Sequence, residues 1–326
     1  MSLVIDANRR VYPWNPVRGC RNALRACTIN RVVGIIVSKD SNGVECRRRD
    51  APYPVSLFCE VFMRKLIAAG ALLALVMTGV QAKDWTTIRL SSEGAYPPFN
   101  GLAADGSLNG FDIDIGNALC EEMKAKCTWV KQDWDGMIPA LLARKFDAIV
   151  ASMSITAERK AKVDFTDKYY SSPLALFAKA GSTVKPDAAA LKGKKVGVQR
   201  GVVADNFATK YWEKQGVKIV RYAKQDEAYS DLKAGRLDGV YADYLEAMGG
   251  FIDTPAGKGY AMAGERMFGK TAEEKAVIAE GIGIALRKKD TDLKAQMNKA
   301  LAAIRANGKY DTIRKKYFPT TDIYGE

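Results

Sequence analysis

Residues 142–152, LARKFDAIVAS, and residues 233–243, KAGRLDGVYAD, follow one pattern. Each closes a helix and breaks at a basic residue or glycine. An apolar residue, an Asp, a small residue and an apolar strand then follow. Asp147 matches Asp238, and Ser152 matches Asp243. A second echo sets TIRLSSEGAY, 87–96, against KKVGVQRGVV, 194–203. Each half therefore predicts a strand-helix-strand-helix-strand unit, which means parallel strands with both faces covered. Ligands of such sheets bind outside the carboxyl ends of the strands. The four loops there carry Glu93, Ser152, Gly201 and Asp243, so two similar lobes facing each other make a cleft.

Around these echoes the alternation continues. NGFDIDIGNALCEEMKA is a helix with Ile115, Ala118, Leu119 and Met123 at helical spacing. CTWVKQ, KIVRYA and the strands already quoted alternate with the helices MIPALLARK, VADNFATKYWEKQ and QDEAYSDLKAGR. EKAVIAEGIGIALRKKD reads as a strand-like return. Residues from 291 onward read as two closing helices.

The chain has 326 residues, 48% apolar and 27% charged, ordinary values for a globular protein. It contains no histidine, the commonest general base and metal ligand. The net charge is +13, of which +7 lies before Lys83. The later charges are scattered and not interleaved with aromatics, which argues against nucleic acid. No P-loop, GxGxxG helix start or metal-ligand cluster stands in the sequence, so no cofactor and no metal are expected, and no catalytic residue is assigned.

Residues 63–82, MRKLIAAGALLALVMTGVQA, have the layout of a signal peptide. Arg64 and Lys65 precede an apolar run that is well short of the roughly 20 residues a bilayer requires. Val80-Gln81-Ala82 suits the cleaving peptidase. Met63 is then the expected start. Residues 1–62, with Cys20, Cys27, Cys46 and Cys59, read as upstream sequence or an extension without a stable fold of its own. The mature chain retains Cys120 and Cys127, an even, local pair expected to form a disulfide after export.

EGAYPPF, GFDIDIGNALCEEMKAKCTWV, WDGMIPALLARKFDAIVASMSITAERKAKVDFTDKYY, LKGKKVGVQRG, AGRLDGVYAD and YDTIRKKYFPTTDIYGE together resemble the bacterial periplasmic binding proteins for polar and basic amino acids. They are most similar to the lysine/arginine/ornithine- and histidine-binding proteins of ABC importers (solute-binding protein family 3). The resemblance runs from about Ile88 to the C-terminus. It implies an α/β, two-lobe type II binding-protein fold with parallel-rich sheets and two hinge strands. The lobes would be 83–171 with 270–326, and 175–266.

The resemblance also implies roles. Arg159 would fork onto a ligand α-carboxylate, a charge-assisted contact of about 1.5–3 kcal/mol, and Thr156 would cap the helix that carries it. Asp243 would take the α-ammonium, helped by Ser152 or Ser154. Glu93 would meet a distal cation, with Tyr96 and Trp134 sandwiching the side chain. Met153, Gln199, Val202 and Val203 complete the expected ligand-binding set. Alone, each residue has a plainer reading: surface arginine, capping hydroxyls, loop aspartate, core tryptophan. Ala151, Val202, Val203, Glu93 and Trp134 depart from the lysine/arginine/ornithine binder, so the side-chain pocket differs while the amino-acid clamp is intact. The implied function is periplasmic binding of arginine, ornithine or lysine by a monomer that hands the ligand to an ABC permease. An opine-like guanidino ligand, a cyclohexadienyl dehydratase-like enzyme and a sensory domain are the alternatives.

Overall fold

The computed structural model describes residues 85–326 except 270, 322, 325 and 326, together with four strands before residue 50. The chain divides into two units, Met1–Gln81 and Ala82–Glu326. In the first unit Leu3–Ile5 pairs with Val11–Pro13 and Ile35–Asp40 pairs with Gly43–Arg48, both antiparallel. Residues 1–62, expected to lack a fold, thus contain two separate two-stranded ladders, a form that is marginal in water without further packing. The leader proposed at 63–82 lies outside the described residues. Among the described residues, no helix is long and apolar enough to cross a membrane.

The second unit begins with β1 (Thr87–Ser92), α1 (Phe111–Glu122), β2 (Lys126–Lys131), α2 (Met137–Leu142), β3 (Ala148–Ile149), α3 (Ala157–Lys162) and β4 (Asp164–Phe165). The chain then crosses to β5 (Leu174–Lys179), β6 (Lys195–Gln199), α4 (Val203–Tyr211), β7 (Lys218–Tyr222), α5 (Gln225–Lys233), β8 (Gly239–Asp243), α6 (Tyr244–Ala247) and β9 (Tyr260–Met262). It returns through α7 (Ala272–Ile278) and β10 (Ala285–Leu286), and ends in α8 (Thr291–Ala306) and α9 (Lys309–Tyr317).

Two five-stranded sheets result, ordered β2-β1-β3-β10-β4 and β7-β6-β8-β5-β9. In each, the first three strands are parallel and the fourth runs antiparallel to both of its neighbours. The sheets are therefore mixed rather than purely parallel as the echoes predicted. The fourth strand of each sheet arrives over a crossover from the other: β5 directly after the first sheet, β10 after the second. This is how two α/β halves become one interleaved pair of lobes.

Buried clusters cover both faces of both sheets, as parallel-rich sheets require. Phe111, Ile115, Leu119, Leu293, Leu301 and Ile304 pack one face of the first sheet. Met137, Leu141, Phe146 and Phe165 pack the other. α1 starts at Gly110 because only glycine fits: φ is 120°, and a Cβ there would lie 2.4 Å from the Phe99 carbonyl oxygen. Asp112 and Asp114 in its first turn suit the positive end of the helix. Cys120 at its end is joined to Cys127 in β2, with Cα atoms 6.1 Å apart.

The echo has a physical cause. The Asp147 carboxylate accepts from the Arg89 backbone N–H (3.1 Å), and the Asp238 carboxylate accepts from the Lys195 N–H (2.8 Å). In both lobes an aspartate entering the third strand ties down the backbone of the first. The ladder registers pair Leu90 with Ala148 and Val196 with Gly239. Glu93 therefore corresponds to Gln199, one residue earlier than the two quoted stretches suggest.

One expectation needs correction. Residues 274–278, read as part of a strand-like return, are helical: Thr271 and Glu274 form a reciprocal capping box that starts α7, and only Ala285–Leu286 is strand.

Candidate functional site

The carboxyl ends of β1, β3, β6 and β8 converge on a small cavity of about 10 Å³ at the lobe junction. Glu93, Tyr96, Trp134, Ser152, Ser154 and Arg159 line it from the first lobe, and Gln199, Val202 and Asp243 from the second. Glu93 follows β1 directly, Gln199 ends β6 and Asp243 ends β8.

The two lobes touch through the same residues. Gln199 donates from Nε2 to Glu93 Oε1 (3.1 Å), so the residues in equivalent positions of the two lobes meet face to face. The Tyr96 hydroxyl donates to Asp243 Oδ2 at 2.6 Å. Arg159 donates from Nη1 to the Ser154 carbonyl (2.9 Å) and from Nη2 to the Gly201 carbonyl (3.0 Å), the latter across the cleft. These bonds engage two of the five N–H groups of a guanidinium. Its carbon lies 5.1 Å from the centre of the Trp134 ring. Thr156 caps α3 by accepting from the Arg159 N–H at 3.2 Å.

Burial shapes the charges. Loss of water pushes the Glu93 carboxyl up to about 7, although Gln199 and Lys224 pull it down. Desolvation likewise raises Asp243 to about 6, opposed by the Tyr96 hydroxyl and the Arg159 charge. Arg159 is lowered to about 10 for the same reason, with Asp243 working against the shift. The cavity thus holds two acids whose carboxyls burial has raised toward neutrality and a buried cation, each removed from water. A ligand bearing charges opposite to these removes that cost.

Not every expected residue faces this space. Met153 is buried among Met137, Leu141 and Phe165, and it borders an outer cleft instead. Val203 sits in the core of the second lobe, packed with Phe207 and Leu176. Ser152 borders the cavity, but its hydroxyl donates to Asp112 Oδ2 at 2.8 Å, and its φ of 52° is left-handed. Asp112 went unread in the sequence. It is fully buried and also accepts from Asn100 Nδ2 (2.9 Å) and the Tyr169 hydroxyl (2.6 Å), which locks the floor below Ser152. The available signal was an acid within the apolar stripe of α1. Glu246 was missed too: it is fully buried, held by the Tyr229 hydroxyl at 2.6 Å, and burial keeps its carboxyl well above the usual range. Among the described residues, no cluster of metal-ligating side chains occurs.

Comparison with known proteins gives one consistent answer. The profile of the bacterial extracellular solute-binding proteins, family 3, matches residues 88–320. The L-arginine-binding protein of Pseudomonas aeruginosa is 49% identical over 263 residues, covering 81% of this chain and 99% of that protein. The lysine/arginine/ornithine-binding periplasmic protein of Escherichia coli is 42% identical, covering 81% of this chain and all of its own length. A solved structure of an ancestral arginine-binding protein bound to arginine superposes with a TM-score of 0.65 at 36% identity, over 72% of this chain and 98% of that one.

Proposed function

The chain belongs to the bacterial extracellular solute-binding proteins, family 3, and from that premise we propose that it binds a basic L-amino acid in the periplasm and delivers it to an ABC importer. Arginine, ornithine and lysine are the ligands of this reading. The observation that carries it is the order of charges along the cavity. Arg159 and Asp243 form one end, and Glu93 lies against Gln199 at another.

Arg159 binds the α-carboxylate through its uncommitted N–H groups, a planar fork matched to a planar anion. Asp243 accepts from the α-ammonium, and the Tyr96 hydroxyl now on it holds that carboxylate in position. Glu93 faces the distal ammonium or guanidinium, and the Trp134 and Tyr96 rings line the stem between. Binding leaves the ligand unchanged. A dehydratase acting on a prephenate-like acid would instead set an anion against Glu93 and Asp243.

Because both lobes supply charges to one enclosed space, the ligand can enter only when the lobes part and is held when they meet. Export through the leader at 63–82 delivers the chain to the periplasm, where the Cys120–Cys127 disulfide is stable. Calorimetric titration of the purified protein, unfolded and refolded to remove bound ligand, tests the reading. L-arginine, L-ornithine and L-lysine should bind at micromolar Kd or tighter, and L-glutamate should not. Heat from glutamate with none from the three cations would overturn it.

A further inference from the structure

Three consecutive residues of the second lobe each reach a different residue of the first. Gln199 bonds Glu93 within the candidate cavity, and the Gly201 carbonyl accepts from Arg159 at the cavity's edge, where Gly201 lines an outer cleft. The residue between them does something else. Arg200 turns outward, and its Nε and Nη2 both donate to Asp135 Oδ2, at 3.1 and 2.7 Å. Neither partner lines the cavity. Asp135 sits instead beside Trp134 in the turn Trp134–Gly136 and borders two outer clefts. One is lined by Trp134, Met153, Arg159 and Gly201, the other by Glu93, Trp134, Asp133 and Lys224. The ion pair therefore stands on the outer rim of the lobe junction, between two openings that flank Trp134.

We propose that Arg200 and Asp135 are a rim clasp: positioning residues that set the fraction of closed protein and the rate of ligand release without touching the ligand. This rests on the closure described under the proposed function, but it concerns residues outside the ligand site. The chemistry favours such a role over a structural one. The two residues belong to different lobes, so the bond exists only when the lobes meet. Both side chains are about half exposed, at 52% and 50%, so separating them leaves two hydrated charges rather than buried orphans. A bond of that kind has a small energy and a low barrier to breaking, which suits a part that must open on each cycle.

The test is stopped-flow release of L-arginine from the protein, followed by tryptophan fluorescence. Asp135→Asn, Arg200→Gln and the charge-swapped pair Asp135→Arg with Arg200→Asp are compared with wild type. Each single change should speed release roughly two- to fivefold and leave association nearly unchanged. The swapped pair should return release to near the wild-type rate, and raising the salt to 1 M should shrink all differences. Unchanged release in both single variants, or additive loss in the swapped pair, would overturn the clasp. If wild type gives no signal with L-arginine, the ligand assignment fails, and small-angle scattering of the ligand-free proteins decides the clasp alone. The single variants should then have a larger radius of gyration than wild type, and equal radii would refute it.

Discussion

The two lobes share one plan and use it differently. Both have the same strand order, and both use an aspartate, Asp147 or Asp238, to bind the backbone of their first strand. They diverge after the third strand. In the first lobe Ser152 turns its hydroxyl inward to Asp112, and the loop beyond it carries Arg159 on a capped helix. In the second lobe Asp243, in the matching position, is left at the cavity wall, where the Tyr96 hydroxyl and the Arg159 charge reach it from the opposite lobe. The aspartates differ in setting as well. Asp147 also binds Arg89 and the buried Arg287, whereas the Asp238 side chain is 38% exposed beside Lys194. The first lobe is thus an internally braced seat holding the aromatics, Glu93 and Arg159. The second is a lighter cover that adds one acid, one amide and one main-chain carbonyl.

Four measurements would sharpen or break that contrast. The largest effect belongs to Asp112. Replacing it with alanine strands three buried donors at about 1–3 kcal/mol each, so Asp112→Ala should lose about 4 kcal/mol in urea unfolding. Asp238→Ala, which removes one half-exposed acceptor, should lose about 1 kcal/mol. Equal losses would mean that the lobes are braced alike. Next comes Arg159→Met, which deletes the cation that the cover's carbonyl answers. L-arginine affinity should fall 10- to 100-fold by calorimetry, in line with about 1.5–3 kcal/mol for a charge-assisted contact.

The third concerns the turn into the edge strand. α1 and β2 are stapled by Cys120–Cys127, while the corresponding turn of the second lobe relies on Gly216 in a left-handed conformation. The double variant Cys120→Ser with Cys127→Ser should cost about 2 kcal/mol of stability by the loop-entropy argument and leave affinity untouched. A change in affinity would show that the staple reaches the site.

The smallest effect is the pH profile. The Glu93 carboxyl lies at about 7 with the lobes in contact, above its ordinary value. A raised carboxyl contributes stability below the ordinary glutamate value and loses it as pH rises through about 7. The closed arrangement therefore weakens toward alkaline pH. A cationic ligand needs the ionised form, so affinity for L-arginine should rise between pH 5 and 8, by about tenfold or less. In Glu93→Gln the rise should be confined to the window near 6 set by Asp243. A variant profile superimposable on wild type would remove Glu93 from the distal end.

Much of this was legible because it was local or repeated. The paired Asp motifs, the helical stripe of α1 and the cap at Thr156 are all written within a few residues. The antiparallel pairings around β10 were not, since β4 and β10 are two residues each and β10 finds its partners more than a hundred residues away. α7 was misread although Thr271 and Glu274 stand at capping-box spacing, because the apolar residues after them suggested a strand. Asp112 was hidden by its own plausibility: an acid in the first turn of a helix satisfies the dipole and asks for no further role. Met153 and Val203 are next to cavity residues in sequence, but alternation and helical rotation turn their side chains into the cores.

The bond from Arg159 to the second lobe ends on a carbonyl oxygen of Gly201, not on a side chain. Every amino acid has such an oxygen, so this handshake does not depend on the side chains that flank Gly201, whose own φ of 72° favours glycine. Neighbouring positions such as Val202 are then free to drift and reshape the inner wall while the grip on the guanidinium persists. A lineage could change which solute it collects without first reinventing how its jaws meet.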